Sequence, residues 1–77
     1  MSELDRVRWH CRRGLLELDL ILERFTQRHL EQLDKDKLIQ FKELLALDDN
    51  ELLDLIMQRT ELEDARLAPL LKMLQAA

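Results

Sequence analysis

The stretch Arg12-Arg13-Gly14-Leu15-Leu16-Glu17-Leu18-Asp19 brings two adjacent arginines against the only glycine of the chain. The residues around it are strong helix formers. A glycine inside a helix costs about 1 kcal/mol relative to alanine, so Gly14 reads as a break between two helices. The break sets Arg13 and Glu17 at the start of the second helix, a constrained polar corner suited to docking. A plainer reading uses the same residues. Gly14 is then an ordinary helix terminator, and Glu17 a first-turn carboxylate that favours the helix start. The paired arginines weigh against it, because no cap needs them and positive charge near a helix start is mildly unfavourable.

Composition carries the helical reading to the whole chain. The 77 residues make one small domain, 1–77. Leucine supplies most of the apolar set, with two Phe, one Trp and no Tyr. β-branched residues are scarce: one Val, three Ile and two Thr. Leu, Glu, Lys, Arg and Gln all favour helix, so the fold class is all-α. A core of this size stabilises a fold only marginally.

Outward from the corner, five helical segments separate at recognisable caps. Ser2 caps the first, with Asp5 three residues on. Leu4, Val7 and Cys11 share one stripe of that helix, and Trp9 falls on the other side among Arg6, Arg12 and Arg13. The second helix runs from about Leu15 to about His29. Its main apolar stripe is Leu15, Leu18, Ile21, Leu22 and Phe25. Leu16 and Leu20 make a second stripe, which predicts a central helix packed on two sides. Glu17, Arg24 and Arg28 share a polar side. Asp34 caps a third helix that buries Leu38, Phe41, Leu44 and Leu45. Asp48 and Glu51 have capping-box spacing for a fourth, which continues through Met57. Thr60 or Asp64 caps the last. Proline is tolerated only in a first turn, so Pro69 puts its start at about Leu67. Leu18, Leu22, Phe25, Phe41, Leu45 and Leu53 are the predicted core.

The formal net charge is −4 and unevenly spread. Residues 1–13 carry Arg6, Arg8, Arg12 and Arg13 against Glu3 and Asp5, while the remainder is strongly acidic. That overall sign argues against nucleic-acid binding. The basic end reads as a contact surface for an acidic partner or a phosphate-bearing ligand. No apolar run approaches the roughly 18 residues of a membrane span. The N-terminus lacks a signal pattern, so the expected location is cytoplasmic and the expected state monomeric.

Catalytic chemistry finds little support. His10, Cys11 and His29 are the strong nucleophile or soft-ligand candidates, and neighbours on a helix point about 100° apart. No CxxC or HxxxH spacing exists, which argues against zinc. A lone cysteine forms no intrachain disulfide, and Cys11 on the apolar stripe reads as a small core residue. His29 near a helix end is favourable with the helix dipole. A single glycine makes no phosphate loop. Trp9 has two readings, an edge of the core or an exposed aromatic anchor flanked by arginines. Its side of the helix favours the anchor. Arg13 is expected to be exposed and to contribute little to folding.

The segment Arg8-Trp9-His10-Cys11-Arg12-Arg13-Gly14-Leu15-Leu16-Glu17-Leu18-Asp19-Leu20 closely resembles the signature of the SdhE family of flavinylation factors, also called succinate dehydrogenase assembly factor 2. Leu44-Leu45, Asp48-Asp49 and Leu52-Leu53 resemble its second recognisable stretch. One departure stands out: family members often have a tryptophan and a glycine where this chain has Leu55-Ile56-Met57-Gln58-Arg59. The resemblance implies a five-helix bundle, not an enzyme. It would bind the flavoprotein subunit of succinate dehydrogenase, or of fumarate reductase, and promote covalent attachment of FAD to a histidine of that client. FAD would be attached to the client and not held stably here. By the family's Arg-Gly-x-x-Glu motif, Arg13, Gly14 and Glu17 would carry the function, with Arg8, Trp9, Arg12 and Asp19 as neighbouring partner-binding surface. The alternatives are a helical adaptor unrelated to flavin, or a carrier that binds FAD itself. Few aromatics are present to stack on an isoalloxazine, which argues against the carrier.

Overall fold

Short polar side chains start most of the helices. The computed structural model describes residues 2–77. Helix α1 spans Glu3–His10, and Ser2 and Asp5 close a reciprocal capping box at its start. Helix α2 spans Leu16–His29 and runs into a 3₁₀ turn, Leu30–Gln32. Asp34 caps α3, Lys35–Leu45, by accepting from the Lys37 amide at 2.8 Å. Asp48 does the same for α4, Asp49–Ile56, through the Glu51 amide at 2.8 Å. Asp64 caps a second 3₁₀ turn, Ala65–Leu67, which feeds α5, Ala68–Gln75. Pro69 sits in the first turn of α5, where its missing N–H costs nothing. Among the described residues there is no strand, in keeping with the composition.

The core gathers where α5 packs against α2, α3 and α4. Phe25 and Phe41 meet there at 4.8 Å between ring centroids, tilted by 51°. Leu18, Leu22, Phe25, Phe41, Leu45 and Leu53 are all buried, as their spacing predicts. Val7 and Cys11 are buried from α1. Burial pushes the Cys11 thiol up to about 11, which keeps it a protonated apolar filler. His29 is half-buried, its ring 5.4 Å from that of Phe25.

One expectation about α2 fails. Leu16 is 73% exposed and Leu20 43%, so the helix is packed along one main stripe and not on two sides. With 77 residues, the bundle covers the Leu18, Leu22 and Phe25 side and has nothing left to lay over the other. Helix α4 ends at Ile56, with Met57 as its C-cap.

The α4 terminus is built unusually. Gln58 has φ +60°, a left-handed conformation that costs a residue with a Cβ about 1–2 kcal/mol. Its amide donates to the Leu55 carbonyl at 3.2 Å, and the Arg59 amide reaches the Asp54 carbonyl at 2.8 Å. These are the two bonds of a Schellman ending, which normally places glycine at that position.

Candidate partner-binding site

The chain leaves α1 at Cys11, and the corner that follows is fixed by groups far apart in sequence. Gly14 has φ +84°, the region open to glycine, so the predicted break is real. A Cβ built there would meet no atom within 4 Å. The glycine is thus required by backbone conformation and not by crowding within the chain, and the space beside it is open. The Asp19 carboxylate, one turn into α2, reaches back to this loop. One oxygen accepts from the Arg13 amide at 2.8 Å and the other from the Gly14 amide at 3.1 Å. Leu15, the N-cap residue, has an apolar side chain and makes no side-chain cap bond. Asp19 instead satisfies two amides of the loop that precedes it.

Arg13 turns inward. Its side chain is only 13% exposed. Nε donates to Asp49 at 2.5 Å, Nη1 to the Leu45 carbonyl at 2.7 Å, and Nη2 to the Leu47 carbonyl. The guanidinium thereby satisfies carbonyls at the end of α3 and pairs with the first-turn acid of α4. Its planar fork suits three acceptors at once, which a lysine does not match. The expectation that Arg13 is exposed and nearly neutral for folding is overturned, since it ties the α1–α2 corner to the α3–α4 junction.

The rest of the motif faces out. Trp9 is 65% exposed, the anchor side of its two readings. Arg8, Arg12 and Glu17 are exposed. Arg8 makes a 3.5 Å pair with Glu31, a surface contact of small energetic weight. Neither Arg12 nor Glu17 has a side-chain partner among the described residues. Sequence reasoning singled out seven residues here. Arg13 and Asp19 are drawn into the protein and Gly14 sets the backbone. Arg8, Trp9, Arg12 and Glu17 are presented, and Leu16 and Leu20, expected to be packed, lie exposed on α2 beside Glu17.

The acidic run 48–51 reads from sequence as a cap and a solvated face, whereas Asp49 in the structure pairs with Arg13. The signal was available: α3 ends without glycine, and Asp48 alone suffices as the α4 cap. That left a second aspartate and a set of helix-end carbonyls awaiting a donor. His10 and Cys11 do not combine into a reactive pair, with His10 exposed and Cys11 buried. No group of three metal-ligating side chains occurs among the described residues, and no helix is long and apolar enough to cross a membrane.

The corner gives a rigidly held, mixed surface of one indole, two arginines, one carboxylate and two leucines. It offers no nucleophile, base and orienter in sequence. Comparison with known proteins agrees with a role in assembly. Residues 5–77 match the family described as the flavinator of succinate dehydrogenase. The chain is 41% identical over 73 residues to the FAD assembly factor SdhE of Pseudomonas aeruginosa, covering 95% of this chain and 87% of that one. It is 40% identical over 75 residues to the protein of the same name from Pseudomonas savastanoi pv. phaseolicola, covering 94% and 86%. With the FAD assembly factor SdhE of Ralstonia nicotianae it shares 47% over 60 residues, 78% of this chain and 63% of the other. No solved structure matches the chain at a significant level.

Proposed function

Because the chain belongs to the family of flavinators of succinate dehydrogenase, we propose that it binds the flavoprotein subunit of that enzyme through the α1–α2 corner and promotes covalent attachment of FAD there. Fumarate reductase flavoprotein subunits are a second client of the same kind. The protein engages its client as a cytoplasmic monomer, as an assembly factor and not as an enzyme. The single observation that carries this reading is the division of the motif: an internal clamp holds a corner whose outer residues make no side-chain hydrogen bond or ion pair among the described residues beyond the Arg8–Glu31 surface pair.

The physical account is one of placement. The flavin can largely perform its own attachment chemistry once its reactive carbon and the client histidine are held together. Holding them is worth a large part of the barrier. The helper supplies a surface that fixes client segments in that arrangement. Trp9 and Leu16 contribute buried area at the contact, the pattern of an aromatic anchor with apolar neighbours. Arg12 pairs with a client carboxylate or carbonyl, and Glu17 accepts from client donors. The open side of Gly14 lets a client backbone come close. Arg13 and Asp19 act by holding these groups in position.

The experiment is complementation. In cells lacking this protein, covalent flavin on the succinate dehydrogenase flavoprotein subunit is read as in-gel fluorescence of that band, and a tagged copy is tested for capture of the subunit. Wild type restores fluorescence, whereas Glu17→Ala and Trp9→Ala restore it poorly while accumulating normally. Full flavinylation with both variants at normal levels would remove the corner from the client interface.

A further inference from the structure

A second surface is left unused by the corner. Between the α3–α4 junction and the segment entering the second 3₁₀ turn runs a groove floored by Leu47, Leu55, Leu62 and Leu67. Leu55 and Leu67 are buried, whereas Leu47 and Leu62 are half-buried and keep apolar surface open. The rim is acidic. Asp54 is answered by Arg59 at 3.3 Å and Asp64 by Arg66 at 2.7 Å. Glu51, Glu61 and Glu63 also line the groove, and their carboxylates have no partner among the described residues.

The opposite character sits on α1. Glu3 is taken up by Lys42, and the Asp5 carboxylate is turned into the capping box. Arg6 and Arg12 are exposed with no acidic partner among the described residues, and they flank the exposed indole of Trp9. No residue of α1 lines the acidic groove, so one molecule does not satisfy itself.

We infer that the acidic groove receives the Trp9 face of α1 from a second copy of this chain. The indole covers the leucine floor, and Arg6 and Arg12 meet Glu51, Glu61 and Glu63. One short helix in one groove buries less than the roughly 1,200 Å² of a standard interface. The association is therefore weak, with a dissociation constant on the order of 100 μM, and sensitive to salt because its charges lie at the rim. The contact is head-to-tail, so it grows past the dimer unless two copies close on each other. Where the corner is also the client surface, a point that rests on the function proposed above, self-association withholds Trp9 until a client competes for it.

Sedimentation equilibrium on the whole chain tests the contact without any client. The mass of wild type should rise with concentration at about 50 mM salt and return to the monomer at about 0.5 M. Trp9→Ala, which lacks the donor face, and Glu61→Lys with Glu63→Lys, which lacks the receiving groove, should each stay monomeric. Mixed together they should associate, because the first keeps an intact groove and the second an intact α1. Circular dichroism confirms that both are folded. A wild type that remains monomeric throughout at low salt overturns the inference. So does a mixture that fails to associate, or a groove variant that self-associates like wild type. If the groove variant instead loses only client capture, the groove serves a client segment and the second-copy assignment is wrong. The complementation result for Glu17→Ala is independent of all these outcomes.

Discussion

Among the described residues two hold left-handed backbone, and their corners are built in opposite ways. At Gln58 the geometry is local: two backbone hydrogen bonds close the end of α4, and the chain tolerates a residue with a Cβ where glycine would be easier. At Gly14 the geometry is assembled from afar. The Asp19 carboxylate holds two loop amides, and Arg13 reaches Asp49 and the end of α3. A helix that needs only to stop can do so with its own peptide groups. A corner that must present neighbouring side chains at a fixed angle is tied down by the loop arginine Arg13, by carboxylates from α2 and α4, and by a main-chain carbonyl at the end of α3.

The contrast breaks most visibly at Arg13. Arg13→Ala should lower stability by about 2–3 kcal/mol, since charge-assisted bonds at a poorly hydrated site are lost together. Arg13→Lys should recover only part of that. Urea unfolding followed by circular dichroism reads both. A loss under about 0.5 kcal/mol would show that the clamp contributes as little as a surface pair.

Asp19→Ala comes next, at about 1–2 kcal/mol, the scale of losing a cap that serves two amides. Its amide-exchange signature is specific: the Arg13 and Gly14 amides should lose protection while those of α3 keep theirs.

The two left-handed residues give a pair of opposite sign. Gly14→Ala should destabilise by about 1 kcal/mol through backbone strain alone, because the added methyl meets open space. Gln58→Gly should stabilise by about 0.5–1 kcal/mol by relieving the same strain, less the entropy glycine gives the unfolded chain. Equal signs from the two would mean that dihedral preference does not govern these corners.

The smallest effect on folding belongs to Glu17. Glu17→Gln should stay within about 0.5 kcal/mol of wild type and yet reduce flavinylation of the client. The sharpest test of the inner-versus-outer division is this one variant with intact stability and lost function, set beside Arg13→Ala, where both fall.

Sequence reading reached the helices because their starts are written in single residues. Ser2, Asp34, Asp48 and Asp64 cap as their types require, and Pro69 falls where only a first turn accepts it. The six predicted core residues are all buried, while Leu38 of the α3 stripe stays half-buried. Two misreadings have one cause. Periodicity says which side of a helix is apolar but not how many neighbours remain to cover it, so Leu16 and Leu20 were assigned a packing partner that the bundle lacks. Equally, charge suggests exposure, yet the direction of Arg13 depends on carbonyls 32 and 34 positions away along the chain. No local pattern encodes that reach.

The placement of the only tryptophan outside the core has an optical consequence. An indole already in water changes little when the bundle melts, so intrinsic emission should be nearly blind to unfolding and followed poorly by a denaturant titration. The same indole shifts to shorter wavelengths when another surface covers it. Trp9 thus makes the unlabelled protein a native reporter of encounters, silent about its own stability and responsive to whatever docks beside Gly14.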